Sequence, residues 1–189
     1  MKKYLFVSIS MLVFVLSCKK EDISFPGLPD ATRTGANTAG CLLNGKAWVA
    51  DKDYFWSTRA IYAQYGDNHS IGKDRRLILN LDRELSYDGS ELEINERISI
   101  TIKPLIKTGL QLISNFETAE FKFYAINKGQ GTKIYELDNR VVPYLNISRL
   151  DTLNKVVSGT FDFRLKRAKD SNDTIRLSKG RFDAFYFPG

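Results

Sequence analysis

Histidine and cysteine are nearly absent from this sequence, which has a single histidine, His69, and two cysteines, Cys18 and Cys41. A cysteine nucleophile needs a base such as histidine beside it, and His69 lies in the polar stretch Gly66-Asp67-Asn68-His69-Ser70, remote from either thiol in sequence. No catalytic constellation, metal-ligand spacing or cofactor fingerprint is found, so the expectation is a non-enzyme with no cofactor and no metal. Charge of one sign is not in large excess either, with 28 Lys and Arg against 22 Asp and Glu. The basic residues are mostly spread as singles between apolar positions rather than clustered as a nucleic-acid face would have them, so no nucleic-acid partner is expected. A long apolar run is missing as well. The stretch Leu5 to Leu16 covers only about 18 Å as a helix, too short for a hydrocarbon core of about 30 Å.

That short run has another use. Lys2 and Lys3, then the apolar stretch, then Ser17 directly before Cys18 make the order of a secretion signal. The tetrad Val15-Leu16-Ser17-Cys18 resembles a lipobox, which implies cleavage before Cys18 and lipid on its sulfur. Two or three acyl chains hold a protein on a membrane lastingly where one does not. Residues 1–17 are therefore expected to be a signal peptide, and their loss leaves a formal net charge of +4. Cys41 then has no partner for a disulfide. Its setting, Cys41-Leu42-Leu43 before Asn44-Gly45, reads as a buried, inert thiol.

Residues 18–37 are polar, with Pro26, Gly27, Pro29 and Gly35 and no periodicity, and are expected to form the lipidated cysteine and a flexible tether of about 20 to 25 Å. Lys19-Lys20-Glu21-Asp22 resembles the charged signal of Bacteroidetes lipoproteins sent to the outer face of the outer membrane. A soluble charged linker would have the same composition.

From residue 38 to 189 the dominant period is two. Leu77, Leu79 and Leu81 alternate with Ile78, Asn80 and Asp82; Ile98, Ile100 and Ile102 alternate with Ser99, Thr101 and Lys103; Phe161, Phe163 and Leu165 alternate with Asp162, Arg164 and Lys166. Such alternation marks strands buried on one face. It predicts a single all-β domain, an antiparallel β-sandwich or barrel-like fold of about nine or ten strands. Asn44-Gly45 predicts a hairpin over residues 40–50. Val156 to Phe187 is expected to close the chain as a three-stranded meander turning at Lys169 to Asp173 and again at Ser178-Lys179-Gly180. Its last strand, Phe182-Asp183-Ala184-Phe185-Tyr186-Phe187, is apolar on both faces except at Asp183 and is expected inside a sheet.

The opening Gly35-Ala36-Asn37-Thr38-Ala39-Gly40-Cys41-Leu42-Leu43-Asn44-Gly45-Lys46-Ala47-Trp48 and the closing Ser158-Gly159-Thr160-Phe161-Asp162-Phe163 with Gly180-Arg181-Phe182-Asp183 are similar to two signatures of a family of small Bacteroidetes lipoproteins of unknown function. The resemblance implies a secreted all-β domain and transfers no catalytic residues.

Trp48, Tyr54, Phe55 and Trp56, with Tyr62 and Tyr65 following, are the least ordinary local feature. Clustered rings can stack on sugars, so Trp48, Tyr54 and Trp56 are candidate ligand-binding residues. They can equally fill a core, where each buries about 150 to 250 Å², and packing is the expected role. Asp51, Asp53, Glu91, Glu93 and Glu96 fall in turn-like stretches with no readable acid–base pairing. Asp151-Thr152-Leu153 and Asp173-Thr174-Ile175 resemble O-glycosylation acceptors of the same bacteria. The sequence is thus read as an outer-membrane lipoprotein, anchored through Cys18 and facing the cell surface. Its function is ligand binding or adhesion toward a glycan, or alternatively a structural partnership with an envelope protein, with a hydrolase a distant third.

Overall fold

The alternating segments form the sheet they predict. The computed structural model describes residues 26–52, 59–66, 75–85, 94–104, 107–112, 117–127 and 131–189. In β5 (Arg76–Leu85) and β6 (Ile94–Lys103), Leu77, Leu79, Leu81, Ile98, Ile100 and Ile102 are buried. Leu79 lies opposite Ile100 and Leu81 opposite Ile98. β8 (Thr118–Asn127) extends both rows with Phe121 and Phe123. Residues directly opposite across a ladder share a face, so one register carries a continuous apolar layer across three strands.

The remaining strands are β1 (Thr38–Leu43), β2 (Lys46–Val49), β3 (Asp51–Lys52), β4 (Ile61–Gly66), β7 (Gly109–Gln111), β9 (Gly131–Leu137), β10 (Tyr144–Asp151), β11 (Val156–Arg167), β12 (Asp170–Phe185) and β13 (Phe187–Pro188). The domain is all-β, a single 13-stranded sheet not closed into a barrel. Its path is β13-β4-β5-β6-β8-β9-β11-β12-β1-β2, with β10 on β11, β7 on β10 and β3 on β5. The expected nine or ten strands fall short because β3, β7 and β13 have two or three residues each, too few to show a period. The sheet is also mixed rather than wholly antiparallel. β3 with β5 and β13 with β4 are short parallel pairs. They arise where the chain returns: β12 passes through Tyr186 into β13, and β2 through Ala50 into β3. These returns bring the two ends of the path together around a core in which Phe163 packs on Phe121 at 4.5 Å and on Phe161 at 5.1 Å between ring centroids.

Asn44 and Gly45 form the expected two-residue turn, with Leu43 paired to Lys46 and φ of 49° and 84°. Both central residues at positive φ match the right-handed twist of the flanking strands. The closing meander is corrected to a hairpin. Its turn is Ala168-Lys169, and β12 then runs unbroken from Asp170 to Phe185. Lys179, at φ 54°, makes a bulge rather than a reversal, so the register slips between Phe161 and Phe163 while the strand continues. Gly180 follows because the Phe161 ring lies on it: a Cβ there would sit 2.3 Å from the ring. β12 is interior, flanked by β11 and β1, as its apolar faces require.

Asp183, the one polar residue of the segment Phe182 to Phe187, has its own partners. Its carboxylate is buried and accepts from Thr32 Oγ1 at 2.7 Å, from the backbone N–H groups of Thr34, Gly35 and Ala36 at 2.8, 2.8 and 3.0 Å, and from Ser158 Oγ at 2.7 Å. Arg181 Nη1 donates to the Pro29 carbonyl and Asn37 Oδ1 accepts from the Phe185 N–H. Residues 29–37 are therefore stitched to the last long strand. The expected flexible tether to residue 37 does not hold over this stretch, because one buried carboxylate satisfies donors that a free coil would give to water.

Candidate functional site

The outer face of β4, β5 and β6 carries the polar half of the alternation. Tyr62 pairs across to Asn80, Asn80 to Ser99, and Asp82 to Arg97. β3 brings Lys52 beside Glu84, β13 brings Phe187 beside Gln64, and Arg59 precedes β4. Lys52, Arg59, Tyr62, Asn80, Asp82, Arg97 and Phe187 line an open cavity of about 610 Å³, within the size range of small-molecule sites.

One wall is aromatic. Tyr62 and Phe187 stack with centroids 5.8 Å apart and planes 23° apart, and both stay about 40% exposed, at 39% and 42%. Arg59 Cζ lies 5.1 Å from the Phe187 centroid, a cation–π contact. The floor is ionic. Asp82 accepts from Arg97 Nε at 2.5 Å and Nη2 at 3.3 Å, and Lys52 Nζ lies 3.3 Å from Asp82 and 3.0 Å from Glu84. The hydrogen bond to Asp82 raises the Arg97 pKa above its ordinary value, against the opposing effect of burial. A carboxylate forked by arginine and flanked by lysine is a fixed acceptor that orients cations. Asn80 Oδ1 accepts from Ser99 Oγ at 2.8 Å, which leaves the Asn80 amide N–H groups to donate into the cavity. The arrangement offers rings to the C–H face of a ligand and a few fixed donors to its polar edge.

Trp48 takes the expected packing role and not the alternative one on a ligand platform. It is 1% exposed, and its Nε1 donates to Glu96 Oε2 at 2.7 Å. It points inward because β2 pairs it with Cys41, which is itself buried. Tyr54 and Trp56, the other two candidates, lie outside the described residues, as do Cys18, Asp53, His69, Glu91 and Glu93. Tyr65 is in the core, edge-on to Tyr186 at 5.4 Å. Of the aromatic cluster's described members, only Tyr62 faces outward. Cys41 is buried, and burial, helped by the negative charge of Glu96, pushes its thiol up to about 12. Asp51 is exposed, and Glu96 pairs with Trp48 and Arg83. Thr152 lies in an exposed turn, whereas Thr174 is half-buried in β12. Among the described residues no three His, Cys, Asp or Glu side chains are grouped to hold a metal.

Sequence reasoning missed Arg59, Asn80, Asp82, Arg97 and Phe187 as partners. The signal available was the outward half of each alternation, where Asn80, Asp82, Arg97 and Ser99 interrupt an otherwise ordinary solvated face. No protein-family model matches the chain, and neither does any curated protein or solved structure, so the site is read from its own geometry.

Proposed function

We propose that the chain is a lipid-anchored outer-membrane protein, facing the cell surface, whose all-β domain binds a carbohydrate in the β4-β5-β6 cavity. The observation that carries this reading is the half-exposed Tyr62–Phe187 stack rising from a floor of fixed polar groups. Exposed aromatic pairs beside oriented donors suit sugar rings, whose C–H faces are apolar and whose edges are hydroxyls. The anchor rests on the Leu5 to Cys18 sequence. Tyr62→Ala tests the binding role. The ring is exposed, so the unfolding midpoint should move by no more than about 0.5 kcal/mol equivalent, while glycan affinity on an array should fall about tenfold or more. A protein that binds no glycan, or a Tyr62→Ala variant that binds as well, overturns the reading.

A second reading, partnership with an envelope protein, is favoured by Leu110, Leu112 and Val142, exposed at 55%, 52% and 88% near the short strand β7. Large exposed apolar side chains beside a strand edge are features of interaction surfaces.

A further inference from the structure

The cavity's charges do not cancel, and the surplus lies at one place. Asp82 and Glu84 are matched by Lys52 and Arg97, which hold them at 2.5 to 3.3 Å. Arg59 remains. It is exposed, has no carboxylate partner among the described residues, and is held by its contact with Phe187. A guanidinium stacked on a ring keeps its N–H edge free to fork an anion. Phe187 therefore touches both Tyr62 and Arg59, which places a positive charge beside the aromatic pair.

We propose that the cavity selects an acidic sugar, whose ring packs against the exposed edges of the Tyr62–Phe187 pair and whose carboxylate or sulfate is forked by Arg59. This rests on the carbohydrate reading and narrows it. A nucleic-acid strand fits less well, since tracking a phosphate backbone takes a row of unpaired cations, and here two of three are already paired. A neutral sugar would use the rings and leave the Arg59 charge unmatched.

The test is calorimetric titration of the full chain, purified in detergent, with trigalacturonate, its neutral methyl ester and a sulfated trisaccharide. The acid or the sulfate should bind about tenfold more tightly than the ester, with the preference shrinking as salt is raised. Arg59→Gln should bring acid and ester to one affinity, and Arg59→Lys should keep part of the preference. The unfolding midpoint of each variant confirms that the fold is intact. Equal binding of acid and ester by the unaltered protein overturns the acidic preference while leaving the carbohydrate reading in place. So does a preference that survives Arg59→Gln. Failure to bind any glycan, acidic or neutral, overturns both.

Discussion

Removing the Asp183 carboxylate is the sharpest test of how residues 32–36 are joined to β12. Five donors lie within 3.0 Å of its oxygens, and two of those hydrogen bonds, from the Gly35 N–H and Ser158 Oγ, are fully buried. Each buried donor left unsatisfied costs about 1 to 3 kcal/mol, so Asp183→Ala should lose about 2 to 6 kcal/mol, a large part of the 5 to 15 typical of a domain. Asp183→Asn keeps the shape but turns an NH₂ toward one set of donors, and should lose about 1 to 3 kcal/mol. The charge adds a pH signature. Burial alone would raise the Asp183 pKa, but hydrogen bonds from Thr32, Ala36, Ser158 and Gly35 outweigh it and hold the group at about 2, against about 3.9 in an unfolded chain. A folded pKa below the unfolded one stabilises fully above about pH 4, and the gain disappears as pH falls through about 2. The difference is worth about 2 to 3 kcal/mol. Urea unfolding at pH 7 and pH 2.5 should therefore show the unaltered protein losing more on acidification than Asp183→Asn does. Thr32→Val in a double-mutant cycle with Asp183→Asn should couple by about 0.5 kcal/mol or more. Additive effects, or identical acid sensitivity in Asp183→Asn, would refute the latch.

Gly180→Ala should cost about 1 to 3 kcal/mol or more by overpacking, because the new methyl would meet the Phe161 ring at 2.3 Å; an unchanged urea midpoint would show that the ring moves freely aside. The two thiols should behave oppositely. Cys18→Ala should abolish labelling by a fatty-acid probe, whereas Cys41, pushed up to about 12 by burial, should resist a disulfide-exchange reagent in the folded protein at pH 8 and react in full once denatured. Rapid modification of native Cys41 would contradict its place in the core.

Legibility followed the reach of the signal. Leu77, Leu79, Leu81 and Ile98, Ile100, Ile102 announce their strands because a half-buried sheet forces a period of two over several residues. Asn44-Gly45 announces its turn because few dipeptides accept two positive φ values. β13 was illegible, since Phe187–Pro188 is fixed only by pairing with β4, more than a hundred residues earlier. The bulge at Lys179 was misread as a reversal because the residues that bend a strand are the ones that turn it. The cavity was hidden for a related reason. Lys52, Tyr62, Asp82, Arg97 and Phe187 come from five strands, and only the register shows that Arg97 faces Asp82 or that Phe187 meets Tyr62. Trp48 was singled out by its neighbours in sequence, but the side of the sheet on which a ring lands is decided by partners elsewhere.

The Asp183 contacts and the cavity lie close together along the chain, on the successive strands β12 and β13. Phe182 and Ala184 point into the core, so Asp183 and Phe185 point to the other face of β12. The leading segment covers both, with Asp183 bonded to residues 32–36 and the Phe185 ring resting on Gly35, where a Cβ would sit 2.7 Å from it. The cover ends there, and two residues on, past Tyr186, Phe187 of β13 forms the cavity wall. Gly35, at φ 81°, is needed at this point because any side chain would lift the segment off the Phe185 ring. The hydrogen bonds that hold the leading segment also fix the strand that carries Phe187 to β4, where it stacks on Tyr62. Loosening Asp183 should therefore reach the cavity through the short stretch of backbone from Asp183 to Phe187, so that residues 32–36 help position the ring at which a ligand would arrive.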